Sequence, residues 1–322
     1  MPVYDKVGSS VYPRESWYVE DGGSAYPVRQ AYVKVGSSVY KYYDSGLFLT
    51  VFRDYDVDAG LLRAYDSSGN ENEDYRRVLF SSDASEVNAF VTVGNEKIYL
   101  ISTTGTTSGT YRNFPVSVFD TDLNPLSDED FIVTAHDRVQ SRGQRFAVNS
   151  THMFVISGGR GSELAKNYRL LGVYWLRPEH WVNPDNDGQL ELVSRNQDII
   201  NVGHLYATDD RLYVGIARGS AGIFDSPNMR INVYSIQRVS SAVSFTRQTS
   251  EDISTIINGA FVVKDDRIYV MDRRTVSTSP NTVFSVIIRA YTTSGVAIPG
   301  EDIDTGLNNF QYRGFSRLAF LG

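Results

Sequence analysis

From residue 47 onward, apolar and β-branched residues come in short runs broken by polar turns, and the runs repeat. Leu47-Phe48-Leu49-Thr50-Val51 is followed by Leu61-Leu62-Arg63-Ala64-Tyr65-Asp66. Ile98-Tyr99-Leu100-Ile101 is followed by Val116-Ser117-Val118-Phe119-Asp120, and Met153-Phe154-Val155-Ile156 by Leu171-Gly172-Val173-Tyr174-Trp175. Leu212-Tyr213-Val214-Gly215 precedes Ile231-Asn232-Val233-Tyr234-Ser235, and Ile268-Tyr269-Val270-Met271 precedes Ile287-Ile288-Arg289-Ala290-Tyr291. The first aromatic of each pair stands at 48, 99, 154, 213 and 269, in steps of 51, 55, 59 and 56. The second stands at 65, 119, 174, 234 and 291, in steps of 54, 55, 60 and 57. Two independent markers drift together, so the segment is a repeat of about 55 residues.

Each unit holds four strand candidates. An opening strand, such as Ala89-Phe90-Val91-Thr92-Val93 or Ala260-Phe261-Val262-Val263, leads through a polar turn into the two strands above. Asn95-Glu96-Lys97, Asp209-Asp210-Arg211 and Asp265-Asp266-Arg267 are those turns, with Asn or Asp where tight turns accept them. A fourth strand lies near Val78-Leu79-Phe80, Phe131-Ile132-Val133, Leu190-Glu191-Leu192-Val193, Val243-Ser244-Phe245 or Ile303. Four strands per unit at this spacing predict the blade of a β-propeller. No window holds a sustained 3.6-residue apolar period, so helices should be few.

The expected fold is therefore all-β, a five-bladed propeller over residues 45–322. Five middle sections face six opening strands once Arg317-Leu318-Ala319-Phe320-Leu321 is included. That final strand would close the ring as the innermost strand of blade one, because an unpaired edge invites aggregation. A competing count takes Val39-Tyr40-Lys41-Tyr42 as the opening strand of blade one and leaves residues 317–321 for a neighbour, and five versus six blades stays open. The loops between second and third strands are rich in Gly, Ser and Thr: residues 103–110, 157–162 and 218–222. Blade three carries a further insertion, residues 178–188.

Residues 1–44 follow a different period. One 14-residue phrase occurs three times, beginning at Val3, Trp17 and Ala31. A Tyr at the second place (Tyr4, Tyr18, Tyr32), a Gly at the sixth (Gly8, Gly22, Gly36) and a Tyr at the tenth (Tyr12, Tyr26, Tyr40) recur without a gap. β-formers, a Gly-Ser or Gly-Gly turn and more β-formers predict a hairpin in each phrase. The phrase Tyr32-Val33-Lys34-Val35-Gly36-Ser37-Ser38-Val39-Tyr40-Lys41 resembles the short "YVKVGG-W-K" repeats of structural proteins of tailed bacteriophages. Those repeats usually carry Trp where this chain has Tyr12, Tyr26 and Tyr40. The resemblance covers residues 3–44 and implies a virion protein.

Composition narrows the chemistry. The 322 residues carry a formal net charge of -7, which provides no clustered basic grip for nucleic acid. Tyr and Phe number 21 and 16, the aromatic load that strands favour. With no cysteine, disulfides and Cys-containing metal sites are excluded. No apolar run is long enough for a membrane-spanning helix, and the first residues lack the apolar core of a secretory signal.

Candidate chemical groups are few. Five-bladed propellers include glycosidases with carboxylates around the central channel, and Asp54, Asp56, Asp120 and Asp272 lie on or just after inner or middle strands. They occupy no matching place from blade to blade, so no catalytic residue is assigned. Asn183-Pro184-Asp185-Asn186-Asp187-Gly188 alternates oxygen ligands before a Gly, as calcium loops do, but Ser194 stands where a closing Glu would fall. Asp120-Thr121-Asp122-Leu123-Asn124 also alternates, with Pro125 at the Gly place. Both read as turns. His136, His152, His180 and His204 have no zinc-binding spacing. Ser157-Gly158-Gly159-Arg160-Gly161-Ser162 lacks the ending of a phosphate loop, and no nucleophile elbow is present. No cofactor is read from the chain.

The expected role is a non-enzymatic component of a phage virion, in its capsid, neck or tail, assembled in the host cytoplasm. The hairpins would dock the propeller to other virion proteins or to copies of itself. The candidate interface residues are Tyr4, Tyr12, Trp17, Tyr18, Tyr26, Tyr32 and Tyr40, because aromatics bury large areas at interfaces and keep a polar tip. Two other readings are a module that binds a host-surface glycan or protein through its rim loops, and a five-bladed glycosidase.

Overall fold

The computed structural model describes the backbone of residues 6–7, 10–11, 18–21, 24–27, 30–35, 38–44, 46–54, 59–81, 89–102, 107–108, 111–136, 146–158, 169–175, 189–193, 200–218, 229–239, 242–249, 253–257, 260–264, 266–277, 283–308 and 317–321. Side chains are described over most of these positions from residue 46 onward, though not in the third and fourth strands of the third sheet below. The chain divides into two compact units, residues 1–47 with 322, and residues 48–321.

The first unit holds three separate two-stranded antiparallel sheets. Lys6–Val7 pairs with Ser10–Val11, Tyr18–Asp21 with Ser24–Pro27, and Gln30–Val35 with Ser38–Asp44. In each, two residues separate the innermost pair, which is the commonest hairpin connection. The 14-residue phrase is thus a hairpin, as its pattern predicts.

The second unit is all-β and propeller-like. Its strands form five sheets, each built on four strands that follow one another in chain order except that the C-terminal strand leads the first. The first sheet runs Arg317–Leu321, Leu47–Asp54, Ala59–Tyr65, Glu71–Ser81. The second runs Ala89–Gly94, Lys97–Ser102, Tyr111–Phe119, Phe131–His136. The third runs Phe146–Val148, His152–Gly158, Arg169–Trp175, Gln189–Val193. The fourth runs Ile200–Ala207, Arg211–Arg218, Met229–Val239, Ala242–Arg247. The fifth runs Phe261–Lys264, Arg267–Ser277, Val283–Thr292, Ile303–Asn308. Two additional short strands escape the sequence pattern. Thr107–Ser108 joins the second sheet, and Ile253–Ile257 pairs with Met229–Val239 in the fourth. Among the described residues there is no α-helix, only a 3-10 turn at Ser127–Glu129.

The C-terminal strand Arg317–Leu321 pairs with Leu47–Asp54, so the two ends of the unit meet in one sheet. The leading strands of the five sheets follow one another in a closed cycle. Arg317–Leu321 lies beside Ala89–Gly94 and Phe261–Lys264, and Phe146–Val148 and Ile200–Ala207 complete the circuit. Apolar faces fill the spaces between sheets, removing their side chains from water. Phe48, Leu61, Tyr65 and Leu318 of the first sheet pack with Val262, Met271, Val286 and Ile288 of the fifth. Phe90, Ile101 and Phe114 of the second pack with Phe146, Met153 and Val155 of the third. Ile231 and Val233 of the fourth pack with Phe261, Ile268 and Val270 of the fifth.

The repeating aromatics do not all reach the core. Phe48, Tyr99 and Phe154 are buried, as are Tyr65, Tyr234 and Tyr291. Tyr213 and Tyr269 are only half-buried. Their rings pack against partners on one side, Tyr213 at 6.0 Å from Tyr206 and Tyr269 at 4.9 Å from Phe48 between centroids. Part of each ring stays outside the apolar cluster it flanks.

Candidate functional site

In the hairpin unit, register places the candidate residues on faces. Directly paired residues share a face of a two-stranded sheet, and faces alternate along each strand. Tyr18 pairs with Pro27 and Glu20 with Ala25, whereas Tyr26 pairs with Val19 and Asp21 with Ser24. Tyr18 and Tyr26 therefore lie on opposite faces of their hairpin. The third hairpin repeats this: Tyr32 pairs with Lys41 and Lys34 with Val39 on one face, Tyr40 with Val33 and Val35 with Ser38 on the other. The recurring tyrosines thus form two series rather than one row. Tyr4, Tyr12 and Trp17 lie outside the described residues.

The sequence signal for two faces was present. The second and tenth places of the phrase are eight apart and flank a two-residue turn, which puts them on strands in opposite phase.

In the propeller-like unit, the described candidate carboxylates are Asp120 and Asp272, and each has partners of its own. Asp120 holds a turn together. Its Oδ1 accepts hydrogen bonds from the backbone N–H of Asp122 at 2.9 Å and Asn124 at 2.8 Å, and its Oδ2 accepts one from Asn124 Nδ2 at 2.8 Å. Asp272, in a different sheet, pairs with Arg289 at 2.8 Å. The side chains of Asp54 and Asp56 lie outside the described residues, as does the 183–188 loop with Asp185, Asp187 and Ser194. The alternating oxygens of residues 120–124 serve the turn itself. No group of three metal-ligating side chains occurs among the described residues. His152 is buried, with Nδ1 2.7 Å from Thr151 Oγ1, and its ring lies beside Phe154.

The structure adds a turn motif that the sequence reading left unused. Asp66 repeats the Asp120 arrangement, accepting from Ser68 N at 2.8 Å, Asn70 N at 2.9 Å and Asn70 Nδ2 at 3.1 Å. Thr292 holds the corresponding turn of the fifth sheet by accepting from Val296 N at 3.0 Å. The fourth residue of each turn has positive φ: Gly69 at 87°, Leu123 at 61° and Gly295 at 83°. Each follows a marker aromatic, Tyr65, Phe119 or Tyr291, so aromatic-Asp/Thr was a legible sign of this bend.

These turns join neighbouring sheets. Tyr75 donates to the carbonyl of Thr121 at 2.6 Å, and Arg77 donates to that of Leu123 at 2.8 Å, linking the first sheet to the second. Asn149 Nδ2 donates to the carbonyl of Thr208 at 3.3 Å, and Asp209 accepts from Ser150 N at 2.9 Å, linking the third to the fourth. Beside the first turn, Arg63 and Arg76 flank Glu71 at 3.0 and 3.4 Å. Burial pushes the neighbouring Tyr65 hydroxyl up to about 12 against a small opposing pull from Arg63, with Glu71 adding to the rise. Burial, with a smaller contribution from Glu129, raises Tyr99 as well. Burial is the largest cause of both shifts.

No family model matches the chain, and no curated protein matches it. Solved structures with a similar arrangement include the N-terminal domain of Nup159, at 11% identity and TM-score 0.29, over 83% of this chain and 60% of that one. The chain thus spans less than two thirds of that domain. A mutant of Synechocystis apocarotenoid oxygenase aligns at 9% identity and TM-score 0.39, over 84% of this chain and 73% of that one. A putative 6-phosphogluconolactonase from Bacteroides uniformis aligns at 12% identity and TM-score 0.29, over 83% of this chain and 99% of that one.

Proposed function

We propose that this protein is a non-enzymatic building block of a tailed-phage virion, with a five-bladed propeller as a rigid platform and residues 1–44 as its docking element. The observation that carries the reading is the separation of the hairpins from the platform. Residues 1–47 make a compact unit of their own, built from two-stranded sheets that are marginal alone in water. Such a segment needs a partner to be stable, and its two-stranded sheets and aromatic phrases suit one. The five-blade count is supported by the closed cycle of leading strands. The non-enzymatic reading is supported by the employment of Asp120 and Asp272 in a turn and an ion pair.

Particle labelling tests this. Antibodies raised against residues 48–321 should decorate virions purified from a host producing the phage that encodes this chain. Virions that lack the chain, while it accumulates free in the lysate, would refute the role.

A further inference from the structure

We draw no further inference here: the strongest candidate, the acidic side chains on the turns that join first to second and third to fourth strands in the propeller-like unit, among them Asp66, Asp120, Glu129 and Asp210, is an acidic cluster whose described partners lie in those same turns, and nothing in the structure shows what would bind there.

Discussion

At the scale of single residues, burial and backbone geometry decide what each position tolerates. Phe154 is fully buried in the third sheet and meets Phe245 of the fourth at 6.1 Å between centroids. Phe154→Ala should cost about 3–5 kcal/mol in chemical denaturation. The half-buried Tyr213 has less to lose, so Tyr213→Ala should cost clearly less in the same assay. Gly69 combines positive φ with a close approach, since a Cβ there would lie 2.5 Å from the Asp304 carbonyl oxygen of the fifth sheet. Gly69→Ala should lower the melting temperature by several degrees, whereas the same change at Gly300, with positive φ but open space, should cost only the backbone strain of about 1 kcal/mol. The buried tyrosines give the fold an alkaline limit. The folded state holds the Tyr65 proton more tightly than the unfolded chain does, with a value near 12 against 10.0. Its contribution is therefore complete below about pH 10 and lost as pH rises toward 12, and the raised Tyr99 acts in the same direction. Urea titrations should show stability flat from pH 8 to about 9.5 and falling above it, and a Tyr65→Phe variant should show a shallower fall.

At the scale of elements, the strands were legible because their apolar runs and aromatic markers recur in phase. The pairing of Arg317–Leu321 with Leu47–Asp54 followed from counting opening strands against middle sections. The strands Thr107–Ser108 and Ile253–Ile257 were missed for physical reasons. The first is two residues within a Gly/Thr-rich loop, and the second follows a polar stretch with no aromatic marker. The Asp66 and Asp120 turns were legible from the aromatic-Asp pair that opens each, whereas the positive-φ position, Gly in one and Leu in the other, carried no common sign. Residues 120–124 read as a turn, and the short Asp120 side chain after its strand does take backbone N–H groups of that turn. The terminal strand carries a prediction at this scale. Leu318 and Leu321 are buried, and Phe320 lies 5.1 Å from Phe48 between ring centroids. Deleting residues 316–322 exposes the edge of Leu47–Asp54 and uncovers Phe48. Calorimetry should show a melting temperature lower by 10 °C or more, or aggregation, since each kcal/mol shifts a domain of this size by about 2–4 °C. A truncated protein that melts with the full chain would refute the closure.

At the scale of the whole molecule, two periods divide the work. The repeat of about 55 residues builds sheets that bury one another, as stacked repeats do. The 14-residue repeat builds separate two-stranded hairpins among the described residues. That division was legible in the sequence because a change of period is a change of building unit. The two-faced placement of the tyrosines was legible too, because the second and tenth places flank a two-residue turn and so fall in opposite phase. The account's central claim is that residues 1–44 attach a self-sufficient platform to a particle. The most direct measurement removes them and follows both properties at once, folding by calorimetry and incorporation by the amount of chain sedimenting with purified virions. The account predicts a soluble protein of residues 45–322 that melts cooperatively within a few degrees of the full chain and is absent from virions. A truncated chain that is unfolded, or one that enters virions as fully as the intact protein, would contradict it.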